Sequence, residues 1–543
     1  MLLTPANFCK TDVLVIGQGG AGLMAALSVK DCGLDVLVCG RGKGATPSIT
    51  GLNIVDGKLP GDLEHYREDV IAGGEQINQR ELVDALALGA VQINQLLDSL
   101  HIPLARSQSG YAKRRLSGSS YPRSVYCAAD NIGRCLWDAL CLRAKKAGIK
   151  FLSPLRICRL IKYDEGYWGA MGIDGRDGSC LLVIAQAIIL ATGGIGRLYP
   201  HSTYPDDVIG DGYYLGYQCG CQLVDMEFVQ FEPTIMVYPP ECNGVVVPTA
   251  MLGDGAVLRN RAGERFMQKY NPEQGELSQK HTIAFAIAEE IRAGRGTDHG
   301  AVYFDATDLA PRIIAGYSEL IVKCESAKID VTKTYLEVAP VAHSMMGGIV
   351  VDPEGKTSIP GLFAAGEVTG GIHGANRIAG NGGTEILAFG SQVGLAAALY
   401  VKENNIAAVG DAASMCKNAG IAVAEGTMAP QQLKVKVQEV VNETAGLIRS
   451  DTQLSKGLQV LENIEEKGIP NLQVGNMREL AVYLDLLTMV ATAKMIIGAA
   501  LLRKETRGFH FRCDYPNQSE NMFNIVLSKA ADGTMTFTCQ GKE

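Results

Sequence analysis

DVLVIGQGGAGLMAAL, residues 12–27, is the stretch that decides the fold. An apolar run ends in a turn with glycines at 17, 19 and 22, and a helical pattern and a second apolar run, residues 36–39, follow. This order predicts strand, turn, helix and strand. A glycine turn at this point lets the backbone approach a pyrophosphate at the helix N-terminus. The stretch therefore predicts an α/β fold that binds a dinucleotide.

The end of the second predicted strand lacks the acidic residue that commonly holds a ribose hydroxyl at this point. Gly40 and Arg41 stand there instead. Two interpretations remain open: the ribose site is degenerate, or another residue such as Glu367 anchors the ligand.

Two further segments are rich in glycine. Residues 338–390 combine several glycine-dense turns with His343, His373 and Arg377, and the buried run 188–191 ends in Thr192 followed by two glycines. Glycine allows a positive φ or a close approach of backbone to a bound group. These segments predict a large ligand that is wrapped by main chain.

The composition excludes several classes of protein. With 543 residues, 47% hydrophobic and 20% charged, the chain is globular, and roughly 100–200 residues per domain gives two to four domains. The 58 acidic and 50 basic residues give a net charge of −8, and the basic clusters are short, so we expect no nucleic-acid partner. The N-terminus shows no signal-peptide pattern, so the cytoplasm is the expected location.

The most apolar long segment, residues 484–502, contains Asp485 and Lys494. These charges favour a buried helix over a membrane span, so we expect no direct span of a membrane. The fifteen cysteines are scattered without zinc or iron–sulfur spacing. We therefore expect reduced thiols and no metal site.

Motifs along nearly the whole chain resemble those of one family. The chain is similar to the flavoprotein subunits of the succinate dehydrogenase, fumarate reductase and L-aspartate oxidase family. The motifs are DVLVIGQGGAGLMAAL, HYREDVIAGGEQIN (65–78), IILATGGIG (188–196), DMEFVQFEPT (225–234), NRAGERFM (260–267), HSMMGG (343–348), PGLFAAGE (360–367), HGANRIAGN (373–381) and KETRGFHFRCDYP (504–516).

The resemblance implies a Rossmann-like FAD-binding domain with an inserted α/β capping domain and a C-terminal helical domain. The implied boundaries are 1–239 with 346–409 for the FAD-binding domain, 240–345 for the capping domain, 410–508 for the helical domain and 509–543 for a C-terminal tail. Family members with covalent flavin attach it to a histidine after the second strand. The first histidine here is His65, so we expect non-covalent FAD.

Several residues match positions that contact cofactor or substrate in the family. His343 and Arg377 match ligands of a substrate carboxylate, for which the planar arginine fork is well suited. Thr234 and Thr249 match other substrate-binding positions. The cofactor-binding residues implied in this way are Gly17, Gly19, Gly20, Ala21, Gly22, Gly40, Arg41, Thr192, Gly193, Asp211, Glu367 and Asn381.

Departures from the family cluster at the substrate positions. Glu232 stands where a substrate-binding histidine is expected, and a carboxylate there opposes a dicarboxylate substrate unless it is protonated or paired. Ala250 replaces the glutamate of the family's Thr-Glu pair. Lys280 replaces the arginine that donates the proton. Lysine can act as acid or base, or it can simply neutralise Glu232, and both interpretations remain open.

The sequence therefore predicts an FAD-dependent oxidoreductase that transfers a hydride between flavin N5 and a carboxylate-bearing substrate other than plain succinate or fumarate, with Lys280 and Glu232 as catalytic candidates. One alternative is an amino-acid or amine oxidase like L-aspartate oxidase, in which Glu232 accepts the substrate ammonium. The other is an FAD-bearing scaffold subunit whose active site has decayed. We expect electrons to pass through a separate iron–sulfur or other electron-transfer subunit, or directly to oxygen or a quinone.

Overall fold

The computed structural model describes residues 2–108, 110–127, 131–163, 166–314, 317–404 and 412–542. In this part of the chain the main sheet has seven strands, and its central strands are parallel. Their apolar runs are buried on both faces, as expected for a parallel sheet covered by helices. The strands, in spatial order, are Leu155–Lys162, Trp168–Asp174, Cys180–Leu190, Asn7–Ile16, Val36–Cys39 and Lys150–Leu152, with Leu362–Ala364 also paired to Cys180–Leu190.

Helices cover both sides of this sheet. Gly20–Asp31 directly follows the first long strand and is buried along most of its length. Asn381–Asn404 packs along it, although the two helices are separated by about 350 residues of chain. The other helices of this domain are Asp62–Gly73, Arg80–Leu100, Ile132–Lys146 and Asp211–Gln218.

The capping domain has a sheet and a core of its own. Among the described residues its sheet is antiparallel with the strand order Val229–Tyr238, Leu336–Met345, Val302–Asp305 and Val257–Arg259. Its first strand lies before residue 240, where the sequence placed the domain boundary. Its helices are Ala250–Gly253, Met267–Tyr270, Lys280–Arg292, Pro311–Ile314 and Ser318–Ser326.

The C-terminal region begins with helices and ends in a β-hairpin. The hairpin strands Phe523–Lys529 and Met535–Gly541 extend a small sheet that also contains Leu223–Val224 and Gly348–Ile349. The predicted boundary at 409–410 lies outside the described residues. The helices are Ala412–Asn418, Pro430–Thr444, Asp451–Asn463 and Met477–Leu502.

Two of the described helices, Asn381–Asn404 and Met477–Leu502, are long and apolar enough to cross a membrane by composition alone. Both are core helices here, with 61% and 78% of their most apolar windows buried inside the protein. Asp485 on the second helix is paired with Arg156 and Lys434, which explains how a charge is accommodated in this apolar segment.

The fifteen cysteines all lie in the described part of the chain, and none of them forms a disulfide bond there. Within the same residues, no three histidine, cysteine, aspartate or glutamate side chains are grouped closely enough to hold a metal ion.

The remaining strands are two-residue pairings: Leu2–Leu3 with Ile421–Ala422, Leu52–Asn53 and Lys113–Arg114 with Ser124–Val125, Arg106–Ser107 with Gly110–Tyr111, and Ile448–Arg449 with Phe511–Arg512.

Candidate active site

The carboxyl ends of the central parallel strands meet at one edge of the main sheet. Ile16 is in register with Cys39 on one side and with Leu190 on the other, and Leu190 is in register with Ala364. In open α/β sheets this edge is where ligands bind. The segments that follow these four residues contain most of the predicted cofactor ligands: Gly17 to Gly22, Gly40 and Arg41, Thr192 and Gly193, and Glu367.

The first turn at this edge is packed so closely that only glycine fits. A Cβ on Gly17, whose φ is +128°, would overlap the carbonyl oxygen of Ala191, and a Cβ on Gly22 would overlap that of Gly17. The helix Gly20–Asp31 then begins without a side-chain cap and without an acidic residue in its first turn. The helix dipole therefore favours a pyrophosphate at this end, although the Gly20 amide itself donates to the Thr46 hydroxyl at 2.8 Å.

Replacing Gly17 by alanine should abolish retention of a dinucleotide, because the added methyl group forces the turn away from Ala191. Gly33 at the other end of the helix provides a matched control, since it also has a positive φ, +80°, but open space around its Cα. We expect the Gly33→Ala protein to keep its cofactor, measured as bound flavin per chain after gel filtration. Full retention by both variants would contradict a site at the Gly17 turn.

A second helix N-terminus lies on the same side of the sheet. Asn381 is the first residue of Asn381–Asn404, and its Oδ1 accepts hydrogen bonds from Asn53 Nδ2 at 2.7 Å and from the Tyr66 hydroxyl at 2.8 Å. Asn381 Nδ2, Asn53 Oδ1 and the Thr192 hydroxyl are three of the buried polar atoms of the described residues that have no hydrogen-bond partner. Buried polar atoms are rarely left unpaired, so these atoms fit a polar ligand such as FAD.

Arg41 and Asp211 lie in a cluster of charges that joins the FAD-binding and helical domains. Arg41 is 3.5 Å from Asp211 and 3.2 Å from Asp485, and Arg156 bridges the same two carboxylates at 2.8 and 2.6 Å. Lys434 completes the cluster through Asp485. The structure thus shows a role for both predicted ligands in fixing the two domains together.

Glu367 lies where the Thr192–Gly193 segment and the capping strand Leu336–Met345 meet. Its Oε1 accepts hydrogen bonds from the Tyr204 hydroxyl and, at 2.7 Å, from the Met345 amide. Burial raises the pKa of the Glu367 carboxyl to about 8. A neutral carboxyl group there would not repel the phosphates of a dinucleotide.

This raised pKa predicts a pH-dependent stability of the flavin-free protein. Below about pH 4.3, the ordinary value for glutamate, the carboxyl is protonated in both the folded and the unfolded chain. Between that pH and about 8 only the unfolded chain loses the proton, so the free energy of unfolding falls as pH rises. Glu367→Gln cannot ionise, so its advantage over the wild type in thermal melts should grow from pH 5 to pH 8. An advantage that is constant over this range would contradict the assignment.

The capping domain contributes an ion pair where it meets the segment that contains Arg377, a junction called the cleft below. Glu232 lies on the strand Val229–Tyr238, and both of its carboxylate oxygens contact the ammonium of Lys280, at 2.8 and 2.7 Å. Burial opposes ionisation, but Lys280, His343 and Arg377 together hold the pKa of the Glu232 carboxyl below its usual value. Glu232 is therefore a carboxylate, and its charge is neutralised by Lys280, the first residue of the helix Lys280–Arg292.

His343 and Arg377 lie next to this pair. His343 Nε2 is 3.7 Å from Glu232 Oε2 and 3.4 Å from Arg377 Nη2, and its Nδ1 shares a 2.9 Å hydrogen bond with the Thr203 hydroxyl. Burial, with Arg377 and Lys280 nearby, lowers the pKa of His343 to about 4. The imidazole is thus neutral at pH 7 and has two tautomers. If Arg377 donates to Nε2, Nδ1–H donates to Thr203; if Thr203 donates to Nδ1, Nε2 carries the proton and can donate to a ligand.

The hydrogen bonds that hold the Arg377 guanidinium are longer than those between Glu232 and Lys280. Its Nε donates to Ser344 Oγ at 3.3 Å and its Nη2 to Gln230 Oε1 at 3.4 Å, while Gln230 Nε2 donates to the Arg377 carbonyl at 2.9 Å. Nη1 lies beside Gly382, where a Cβ would be 3.3 Å away. The guanidinium can therefore bind a carboxylate through its two terminal nitrogens.

Among the described residues, the hydrogen bonds that join Glu232, Lys280, His343 and Arg377 do not include the two predicted threonines. Thr234 is buried and donates its hydroxyl to the Val247 carbonyl at 2.7 Å. Thr249 precedes the helix Ala250–Gly253 without capping it through its side chain.

Sequence reasoning missed Thr203, Tyr204, Gln230 and Ser344. Gln230 could have been found from the sequence, because it lies two residues before Glu232 on one strand, and side chains two residues apart on a strand share a face. Thr203 and Tyr204 lie in an irregular loop that has no such period.

The fold and the site define a dinucleotide-binding protein whose capping domain supplies one wall of a charged cleft. A family profile described as FAD binding domain matches residues 12–382, and one described as fumarate reductase flavoprotein C-term matches residues 434–539. The chain belongs to the family of the flavoprotein subunits of fumarate reductase and succinate dehydrogenase, which also includes L-aspartate oxidase. It is an FAD-dependent oxidoreductase, as the sequence predicted.

Two relatives and one solved structure illustrate the similarity. An FAD-dependent oxidoreductase of Methanocaldococcus jannaschii, described as uncharacterized, is 36% identical over 96% of each chain. One subunit of the CoM/CoB fumarate reductase of Methanothermobacter marburgensis is 33% identical over 95% of this chain and 96% of its own. The structure of Mycobacterium smegmatis Sdh1 in complex with UQ1 is similar with a TM-score of 0.87 and 30% identity, over 99% of this chain and 95% of that chain. The predicted fold class is confirmed.

Proposed function

We propose that this oxidoreductase acts on a substrate with one carboxylate and a neutral polar group at its far end, by reduction of a carbon–carbon double bond or by the reverse dehydrogenation. In the reduction, a hydride adds to one alkene carbon and a proton to its neighbour. FAD supplies or accepts the hydride when it is bound. The observation that supports this proposal is the chain of contacts that runs from Lys280 through Glu232 and His343 to Arg377.

Arg377 and His343 bind the single carboxylate. The guanidinium donates two parallel hydrogen bonds to the carboxylate oxygens, and neutral His343 can donate a third from Nε2. Fixing the carboxylate in this way orients the adjacent carbons and removes them from water.

The charges of the cleft favour a monoanion. Arg377 and Lys280 each contribute one positive charge, Glu232 one negative charge, and His343 none. A second carboxylate at the far end would bring two carboxylates to one ammonium, since both oxygens of Glu232 already contact Lys280, and the two like charges would repel at this buried site. A neutral amide or hydroxyl can instead share hydrogen bonds with Glu232 and Lys280.

Lys280 is our candidate for the group that holds the transferred proton at its Nζ, and Glu232 orients that ammonium through both oxygens. The same contacts also fit an ion pair that only neutralises Glu232. A variant that removes both partners distinguishes these roles, as described in the Discussion.

The two alternatives have less support. An amino-acid oxidase would need Glu232 to receive a substrate ammonium, but both of its oxygens already contact Lys280, whose charge would repel that ammonium. A decayed scaffold would have no reason to keep Arg377, His343, Glu232 and Lys280 in one chain of contacts.

We infer that FAD is bound without a covalent bond. His65, the first histidine of the chain, lies on a surface helix against Tyr121 and Glu68 rather than at the loop after the strand Val36–Cys39. We further infer an electron-transfer partner, since similar proteins are named as subunits of larger enzymes, including one of a CoM/CoB fumarate reductase.

The test is an anaerobic titration of the flavin with saturated, unsaturated and amino carboxylates. We expect recovery of flavin absorbance when the reduced protein meets a monocarboxylate enoate, or bleaching when the oxidised protein meets its saturated counterpart. Bleaching by L-amino acids alone would favour the oxidase, and indifference to every compound would favour the scaffold. The panel should include the monoamide of fumarate, which keeps one carboxylate and presents a neutral amide at the other end.

A further inference from the structure

The motif RGFHF, residues 507–511, forms a turn that contacts both walls of the cleft. The arginine wall is the segment 372–378, which contains Arg377, and the capping wall is the helix Lys280–Arg292. On one side it packs on the segment that leads to Arg377. Gly508 has a φ of +52°, and a Cβ there would overlap the carbonyl oxygen of Ala375. The Phe509 amide also donates to that oxygen at 3.3 Å. Ala375 precedes Arg377 by two residues, so the turn directly supports the arginine wall.

On the other side the same turn packs on the capping helix Lys280–Arg292. The ring of Phe511 stacks on Phe285 with centroids 4.7 Å apart and an interplanar angle of 25°. The ring of His281, the residue after Lys280, meets Phe509 edge-on at 6.1 Å. The turn therefore also supports the wall that contains Lys280.

Buried arginines hold the turn in one position. Arg507 donates to both oxygens of Glu505 at 3.0 and 2.9 Å, and its Nη1 donates to the Glu75 carbonyl at 3.1 Å. Arg512 donates to the Ala500 carbonyl at 2.8 Å. Such buried charges cost desolvation energy and add little net stability. Their specific hydrogen bonds instead restrict the turn to a single geometry.

The turn 507–511 also restrains a strained segment, Glu75 and Gln76, that supports the arginine wall. Glu75 and Gln76 have φ values of 56° and 65°, a conformation that is unfavourable for residues other than glycine. The preceding residue, Gly74, accepts a hydrogen bond from the Ala375 amide at 3.0 Å. The contact between Arg507 and Glu75 thus connects the turn 507–511 to Ala375 by a second route.

We propose that the turn 507–511 is a brace that fixes the distance between Arg377 and Lys280, with Gly508 and Phe511 as positioning residues for the two walls. The proposal rests on the proposed function in that Arg377 and Lys280 are taken to face the substrate.

The test uses the FAD-loaded full-length protein and four variants. Gly508→Ala disturbs the arginine wall and Phe511→Leu the capping wall. Gly533→Ala is the control for Gly508→Ala, because Gly533 has a positive φ of +88° and open space around it. Phe537→Leu is the control for Phe511→Leu, because Phe537 is a phenylalanine of the tail that packs on Gly498, away from both walls. Kinetics are measured with the reduced protein and the monoamide of fumarate, and hydrogen exchange is measured in residues 280–292 and 372–378.

For Gly508→Ala we expect a KM raised about tenfold or more and faster exchange in 372–378, because a small displacement of a binding group has a large cost. For Phe511→Leu we expect kcat lowered roughly three- to tenfold, the value of one aromatic pair, and faster exchange in 280–292. Flavin content and both control variants should match the wild type.

Exchange that stays at the control level in both segments would overturn the brace. Faster exchange with unchanged KM and kcat would support the mechanical contact and overturn the roles of Arg377 and Lys280 in the proposed function. If Gly508→Ala does not fold, Phe285→Leu, Phe511→Leu and their combination provide the test. We expect the double variant to lose no more kcat than either single variant, and additive losses would overturn the proposal.

Discussion

Replacing Lys280 by methionine is expected to lower kcat by about 10²–10⁴-fold, the usual contribution of a positioned proton donor. The variant should also be less stable by about 3–5 kcal/mol, because Glu232 is left as a buried carboxylate without its partner. Stopped-flow reoxidation of the reduced protein measures the first effect, and denaturant unfolding the second.

The double variant Lys280→Met with Glu232→Gln separates catalysis from charge neutralisation. Removing both charges should restore most of the stability and leave kcat low. If the double variant also regains the wild-type rate, Lys280 serves only to neutralise Glu232, and the proton comes from another group.

Replacing Arg377 by methionine should raise KM about a hundredfold or more while FAD remains bound. Each charge-assisted hydrogen bond to the carboxylate contributes about 1.5–3 kcal/mol, and the variant loses two of them. Arg377→Lys keeps the charge but loses the planar fork, so its KM should lie between those of the other two proteins.

Arg261→Met provides the control, since this arginine is exposed on the capping domain and its side chain pairs with Asp298. It should leave KM unchanged. An unaltered KM in Arg377→Met would show that the substrate carboxylate binds elsewhere.

The cofactor half of the site could be predicted from sequence because its determinants are local. The spacing of Gly17, Gly19 and Gly22 and the apolar runs beside them already specify strand, turn and helix. The ends of parallel strands necessarily share one edge of a sheet, so the glycines after each strand could be expected to meet there.

The residues of the substrate half could be named from the sequence, but their arrangement in space could not be predicted. Lys280 and Glu232 are 48 residues apart on different elements, and only the packing of the capping helix against its sheet shows that both oxygens of Glu232 are engaged. His343 and its partner Thr203 are 140 residues apart. Such long-range contacts have no period in the sequence, since they depend on how whole elements pack.

For the same reason, the sequence did not predict that the strand Leu362–Ala364 joins the main sheet or that Arg41 and Asp211 belong to one cluster of charges. The strand joins the main sheet beside Cys180–Leu190 after the chain has passed through the entire capping domain. Arg41 was expected at the cofactor from its position after the second strand, and the structure adds a contact that the sequence did not predict, with Asp485 of the helical domain 3.2 Å away.

The central claim is that the cleft accepts one carboxylate and a neutral far end. It is tested most directly by comparing fumarate, its monoamide and its diamide as oxidants of the photoreduced protein under anaerobic conditions. These three compounds have nearly the same size and differ in charge. We expect the monoamide to reoxidise the flavin at least about tenfold faster than fumarate, and the diamide, which offers Arg377 no carboxylate, to be slowest. Fumarate reacting as fast as the monoamide, or faster, would contradict the account.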